Sequence, residues 1–329
     1  MRRICILATG GTISGVAQAP TQYSGYQPAS VDVTTLLANI SIPDHVDSIE
    51  AEQVLNLASH DITESDLILL SCRLKTLVAS QRFTGIVVTV GTNTLDEVAF
   101  FLHLTVKADI PIVLVGSMRP ANLLSADGPL NLYRAMVVAS STKAIGRGIL
   151  VVCNERIMAA KDIVKSDVMS TETFSALDKG LVGVVIDNTV HCFNAPNLST
   201  LSVFDVNPGH SLPKVGIIYG HIGESDELFN FMIDNHYSGI VYAGPGTAAV
   251  TPAAKIGIER CKALSIPVVR VARAAKGLVT KNMEFNDECY GTVSGMGLPP
   301  QKARMLLQLL LTDNKSNKIQ QQFFNCVLS

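Results

Sequence analysis

The chain predicts an α/β fold in two domains, a larger N-terminal doubly wound mixed sheet and a smaller C-terminal parallel sheet. Three observations carry this. Apolar strand-like runs alternate with helix-like segments through the first half, the pattern of a sheet covered by helices on both faces. The alternation breaks at a polar, turn-rich stretch, Asn194-Ala-Pro-Asn-Leu-Ser-Thr to Asn207-Pro208-Gly209-His210, and then resumes. At 329 residues, with 47% hydrophobic and 16% charged, the chain has the length and apolar content for two cores. The expected organisation is a first domain over 1–195, a linker over 196–213 and a second domain over 214–329.

Residues 3–8, Arg3-Ile-Cys-Ile-Leu-Ala8, form the first expected strand, and 85–90, 112–116 and 148–153 read the same way. Such short, nearly continuous apolar runs suit strands buried on both faces. Helix-like segments at 64–80, 95–106 and 129–140 lie between them, and Pro129 after Asp127-Gly128 suits a first helical turn. Beyond the linker, strands are expected at 215–219, 239–243 and 267–271, with helices at 253–264 and 302–311.

Composition narrows the function. Net charge is −2, from 26 basic and 28 acidic residues, without a block of like charges. That argues against nucleic acid or an anionic membrane surface as partner, and no apolar stretch reaches the length of a membrane span. The seven cysteines show no C-x-x-C spacing, which argues against structural zinc and a disulfide framework and for a reducing compartment. Met1-Arg2-Arg3 leads straight into the first strand with no signal-peptide pattern, so a cytoplasmic protein is expected, with a periplasmic one, its leader removed, the alternative.

Two stretches carry the chemistry: Ile6-Leu-Ala-Thr-Gly-Gly-Thr-Ile-Ser-Gly15 and Ile86-Val-Val-Thr-Val-Gly-Thr-Asn-Thr-Leu-Asp-Glu97. Each is an apolar strand running into a glycine-containing turn with a threonine hydroxyl at the strand's carboxyl end, where open parallel sheets bind ligands. Two hydroxyls there suggest acyl transfer with a threonine nucleophile. The first turn has neither G-x-G-x-x-G spacing nor the Gly-Lys-Ser/Thr ending of a phosphate loop. Taken singly, each turn reads equally well as a tight connection. Asn93 and Thr94 could cap the helix starting near Leu95, and Asp96 and Glu97 suit its dipole.

Together the stretches are far more specific. Ala8-Thr-Gly-Gly-Thr-Ile and Gly91-Thr-Asn-Thr-Leu-Asp-Glu resemble the two signatures of the bacterial L-asparaginase (asparaginase/glutaminase) family. Gln53-Val-Leu-Asn-Leu-Ala-Ser59, Gly116-Ser-Met-Arg-Pro120, Ser125-Ala-Asp-Gly-Pro129 with Asn131-Leu-Tyr133, Lys161-Asp-Ile-Val-Lys165 and Pro300-Gln-Lys-Ala-Arg304 extend the resemblance nearly end to end. It implies a flavodoxin-like C-terminal domain and hydrolysis of asparagine without metal or organic cofactor. Thr12 matches the nucleophile on a mobile N-terminal loop, Tyr26 the tyrosine that activates it, and Thr92 with Lys165 the second catalytic group. Ser59 matches a serine that binds the substrate carboxylate, and Ser117 a residue that holds the side-chain amide through its backbone carbonyl. Glu284, in Met283-Glu-Phe-Asn-Asp287, matches an acid that a neighbouring subunit points at the substrate ammonium, and Thr247 is a weaker match to a second cross-subunit contact. A homotetramer built from intimate dimers is implied.

The physical logic agrees. A threonine hydroxyl needs an adjacent base, a lysine serves if its surroundings favour the neutral amine, and N–H groups of the Gly10-Gly11-Thr12 turn are candidate donors for the intermediate's oxygen. Three positions depart from the family. Asn93 stands where an aspartate normally grips the substrate amine, His60 where glutamine is usual, and Val90 where histidine is common. Losing a carboxylate beside Lys165 is expected to lower the lysine pKa and favour its basic form. Weaker asparagine hydrolysis with a shifted pH optimum is the first expectation. Hydrolysis of another amide, or amino-acid binding without turnover, are the alternatives.

Overall fold

The computed structural model describes residues 1–38, 40–196, 204–312 and 321–326. The chain divides into two compact units. The first holds the residues described up to 196 and again Val206–His210, and the second holds Phe204, Asp205 and those described from Ser211 on. Of the expected linker, 197–203 lie outside the described residues, and Val206 is buried, its carbonyl accepting from Lys75 Nζ at 3.2 Å.

The first unit opens with β1 (Arg3–Gly10), α1 (Val33–Ala38), β2 (Ser48–Leu57), α2 (Glu64–Ala79), β3 (Gly85–Thr89), α3 (Leu95–Thr105), β4 (Ile112–Val115), α4 (Gly128–Ala139) and β5 (Ile149–Cys153). These five strands are parallel, in the spatial order β5-β4-β3-β1-β2. The sheet becomes mixed through antiparallel β6 (Arg156–Ala159), and, after a two-residue pair β7 (Val164–Lys165) and β8 (Phe174–Ser175), through β9 (Gly183–Ile186) and β10 (Thr189–Cys192).

Alternation within the buried strands builds two core layers. Ile4, Ile6 and Ala8 of β1 join Val87, Val113 and Val115 against α1 and α4, while Cys5 and Leu7 between them are just as buried. On the other face α3 packs on β5, and α2 on α3. Local chemistry sets the helix starts. Thr63 and Asp66 form a reciprocal capping box at α2, and Pro129 sits in the first turn of α4, where its missing N–H costs nothing.

The second unit contains β11 (Val215–Tyr219), α5 (Glu227–Asp234), β12 (Gly239–Gly244), α6 (Pro252–Ala263), β13 (Val268–Ala272), α7 (Asp287–Tyr290), β14 (Thr292–Ser294), α8 (Pro300–Thr312) and α9 (Gln321–Cys326). Its four strands are all parallel and lie in chain order. Phe229 and Met232 of α5 and Ala254 and Ile258 of α6 cover one face, with α8 on β11, β12 and β13. The parallel part of the first sheet has the strand order 2-1-3-4-5. Only the first sheet therefore has a point where the strand order reverses. Among the described residues no helix is long and apolar enough to cross a membrane.

Candidate active site

The reversal falls between β1 and β3, and that is where both threonines stand. Beyond Gly10 the chain turns through Gly11 at φ 85°, a conformation open to glycine and strained for other residues, and enters a short 3-10 helix, Thr12–Ser14. A Cβ on Gly11 would stand 2.4 Å from Gly91 Cα, and one on Gly91 would stand 2.8 Å from Ser59 Cβ and Oγ. The loops after β1 and β3 thus touch backbone to backbone, because neither has a side chain at the contact, and the Ser59 side chain of the loop after β2 packs against Gly91.

Thr12 and Tyr26 meet although fourteen residues separate them. Val16 and Gln27 exchange two backbone hydrogen bonds, 3.0 and 3.1 Å, folding the intervening loop back on itself. Tyr26 packs over Gly15, and its hydroxyl lies 2.7 Å from Thr12 Oγ1. The loop is tied down from outside as well. Asn122 donates to Ala17 O and accepts from Ala17 N, both at 2.8 Å, and Tyr23 donates to Met118 O at 3.0 Å.

Thr92 and Lys165 form the second group. Lys165 comes from β7 and donates to Thr92 Oγ1 and to Asn93 Oδ1, each at 3.1 Å. Thr92 Oγ1 in turn donates to Met118 Sδ at 3.3 Å. Burial holds the Lys165 ammonium below the usual lysine value, with the Asp96 carboxylate pulling it back up. Asp96, legible in the sequence only as a helix-dipole residue, is buried in the first turn of α3. Its signal was present but had an ordinary explanation.

Ser59, His60 and Ser117 fall on the same rim of the first unit. Ser59 is buried in a short 3-10 helix after β2, and its carbonyl accepts from Thr94 Oγ1 at 2.7 Å. His60 next to it is exposed, its Nδ1 3.4 Å from Asn93 Nδ2 and its Nε2 3.9 Å from Asp61. Ser117, after β4, is fully buried and donates to Arg119 O at 2.9 Å. The Ser125–Asn131 motif is the brace of that loop. Asp127 accepts from the N–H groups of Met118 and Arg119 at 3.0 and 2.9 Å, and Asn131 donates to Gly116 O at 3.1 Å.

One expectation is narrowed. The N–H of Gly11 donates to Leu57 O at 2.9 Å, so it is committed to the sheet edge and is no oxyanion donor here. Thr12 begins its short helix, so its own N–H has no partner within it. Glu284 lies in the second unit, in the segment between β13 and α7, and its carboxylate accepts from Thr247 Oγ1.

Against known families, residues 3–198 match "Asparaginase, N-terminal" and residues 214–324 match "Glutaminase/Asparaginase C-terminal domain". The chain belongs to the asparaginase family. It is 40% identical to the "Probable L-asparaginase periplasmic" of Haemophilus influenzae, over 98% of this chain and 92% of that one. It is 39% identical to "L-asparaginase 2" of Bacillus subtilis, over 98% and 86%. A crystal structure of a "Probable Cytoplasmic L-asparaginase" from Campylobacter jejuni matches with a TM-score of 0.93 at 34% identity, covering 99% of both chains. Within this asparaginase family member, the two groups of hydroxyls lie on the loops after β1 and β3, with Lys165 reaching in from outside the main sheet.

Proposed function

We propose that this protein hydrolyses L-asparagine to aspartate and ammonia through an acyl-threonine intermediate on Thr12. Family membership and the names of the relatives support asparagine as substrate. The observation that carries the mechanism is the pairing of each threonine with a proton-handling partner, Thr12 with Tyr26 and Thr92 with Lys165.

Thr12 Oγ1 attacks the side-chain amide carbon as its proton passes toward the Tyr26 oxygen, 2.7 Å away. Collapse of the tetrahedral intermediate breaks the C–N bond, and the departing nitrogen takes a proton and leaves as ammonia. Water then adds to the acyl carbon, and aspartate departs as the hydroxyl of Thr12 reforms. Thr92 with Lys165 activates the nucleophile or this water. Desolvation supports Lys165 as the base, because it favours the neutral amine that can accept a proton.

Ser59 would hold the substrate α-carboxylate and the backbone at Ser117 its amide. Asn93 and His60 would face the ammonium, together with Glu284 and Thr247 of a neighbouring subunit in a homotetramer of intimate dimers. With Asn93 neutral, Glu284 supplies the formal charge in that grip, and a charge-assisted hydrogen bond is roughly twice as strong as a neutral one. Cys5, Cys72, Cys153, Cys192, Cys261 and Cys289 are free thiols, which suits the reducing cytoplasm.

Ammonia release from asparagine across pH 5 to 10 tests the reading. Thr12→Ala is expected to lower turnover on the order of 10⁴-fold or more with the fold intact, and mass spectrometry of the quenched parent enzyme should find the aspartyl adduct on the peptide bearing Thr12. Undiminished release by Thr12→Ala would overturn it.

A further inference from the structure

A fully buried arginine in the second unit joins the two loops that carry Thr247 and Glu284. Arg270 lies within β13 and has no exposed surface. Its Nε and Nη2 donate to the two oxygens of Asp287 at 2.7 and 2.8 Å, and its Nη1 donates to Ala248 O at 2.7 Å. Ala248 follows Thr247 directly. Asp287 closes the other loop, because it also accepts from the N–H of Asn282 at 2.7 Å and from Thr292 Oγ1. Glu284 sits inside that closure, between Asn282 and Asp287. Phe285, its neighbour, lies 5.2 Å from the guanidinium carbon and stacks on Tyr290.

The backbone in these loops is unusual. Ala248, Asn282 and Glu284 all have positive φ, 61°, 61° and 56°, a region that non-glycine residues occupy only where surrounding contacts impose it. The result is an exposed Glu284 carboxylate oriented by Thr247 Oγ1, standing on a base that is entirely buried. Stability alone is a poor reason for such a base, since well-packed apolar residues replace a buried ion pair with little or no loss. What apolar residues would not supply is the three-way fork that ties Ala248 O and Asp287 to one rigid plane.

We propose that Arg270 and Asp287 are positioning residues. They fix the two loops so that Thr247 and Glu284 are presented ready-made to the substrate ammonium of the neighbouring subunit. This rests on the cross-subunit reading of Glu284 given above. Binding then does not have to order a loop, and affinity for asparagine depends on the fork although neither residue touches substrate. Asp287 is suited to the task across the working pH range. Its burial pushes its pKa up, but bonds from Arg270, Thr292 and the Asn282 N–H outweigh this and hold it below the ordinary 3.8.

The test is a double-mutant cycle on the full-length protein, with asparagine as the probe. Arg270→Lys keeps the charge and loses the fork, and Asp287→Asn is the harsher partner. Glu284→Gln, Arg270→Lys and Asp287→Asn are each expected to raise KM roughly tenfold or more, the range of a lost charge-assisted bond, with kcat much less affected. In the Glu284→Gln background, Arg270→Lys should add little or nothing, because it acts through Glu284. Normal KM in both fork variants, or an effect that multiplies fully with that of Glu284→Gln, would overturn the positioning role. If both variants fail to fold by circular dichroism and sizing, the pair serves the fold and the proposal also fails. Normal kinetics of Glu284→Gln itself would instead remove the cross-subunit reading, and the proposal with it. A second readout separates the two. Oligomers mixed from Thr12→Ala and Glu284→Gln subunits should regain sites with both residues intact, and mixtures of Thr12→Ala with Arg270→Lys should do the same.

Discussion

The two sheets of this protein are built from the same kind of βα unit, yet they offer a ligand very different ground. In the first, β1 has β2 on one side and β3 on the other, so the strand order reverses there, the position at which open parallel sheets bind ligands. Thr12 and Thr92 stand there. In the second, β11 to β14 lie in chain order and no reversal occurs. Its loops after β12 and β13 converge instead on Arg270 and display Thr247 and Glu284 outward. The lesson is that strand order, more than strand sequence, decides which sheet has a ligand-binding switch point at its strand ends.

The comparison is most easily broken at its tightest point. Gly11→Ala puts a Cβ into Gly91 backbone from a strained φ, and is expected to destabilise the first unit by about 3 kcal/mol or more. A thermal melt and a kcat assay check this. Wild-type stability would mean that the loop contact is not what brings the threonines together. Next in size is Tyr26→Phe, which leaves the loop's anchors at Asn122 and Tyr23 untouched and removes only the hydroxyl facing Thr12. A loss in kcat of about 10²-fold is expected, and an unchanged kcat would take Tyr26 out of the mechanism.

A subtler change concerns pH. Asn93→Asp places an anion against Lys165 Nζ, now 3.1 Å from Asn93 Oδ1. An opposite charge raises a lysine pKa, and a base is active only when neutral, so the rising limb of the kcat–pH profile should move to higher pH while KM falls. A limb that stays put or moves down would remove Lys165 as the titrating base. The smallest effect is expected in the second unit. Gly223, in the loop after β11, also has positive φ (78°), but a Cβ there would meet nothing within 4 Å. Gly223→Asn should cost no more than about 1 kcal/mol and leave kcat alone. A large loss there would show that open glycine turns matter as much as the crowded one.

The parts of the fold legible in the sequence were those with long apolar runs. β1, β3, β4 and β5 and the helices α2, α3 and α4 came out within a residue or two, because strands buried on both faces leave an unbroken apolar signature, whereas the short α1 was not anticipated. β2 did not, since its Glu50 and Glu52 belong to an edge strand that is only partly buried. β6, β9 and β10 have four residues each, and the β7–β8 pair has two per strand, too few to show a period. Lys165 rides on that pair, so only its resemblance to a family motif marked it.

The site shows the same division. Local sequence determined the chemical types: two glycine turns ending in threonines, a tyrosine and a lysine at recognisable positions, an asparagine where a carboxylate is usual. Tertiary structure decided which of them meet. Thr92 and Lys165 are joined across seventy-three residues, Asp96 turns out to be a buried neighbour of that lysine, and Gly11 is spent on Leu57 O instead of an oxyanion. Arg270 was readable only as a charge inside an apolar strand, with nothing to say that Asp287 and Ala248 O would receive it. The reason is physical. Side-chain chemistry and backbone propensity are local properties written residue by residue, whereas strand order and the approach of two loops arise from long-range pairing, which no short window of sequence contains.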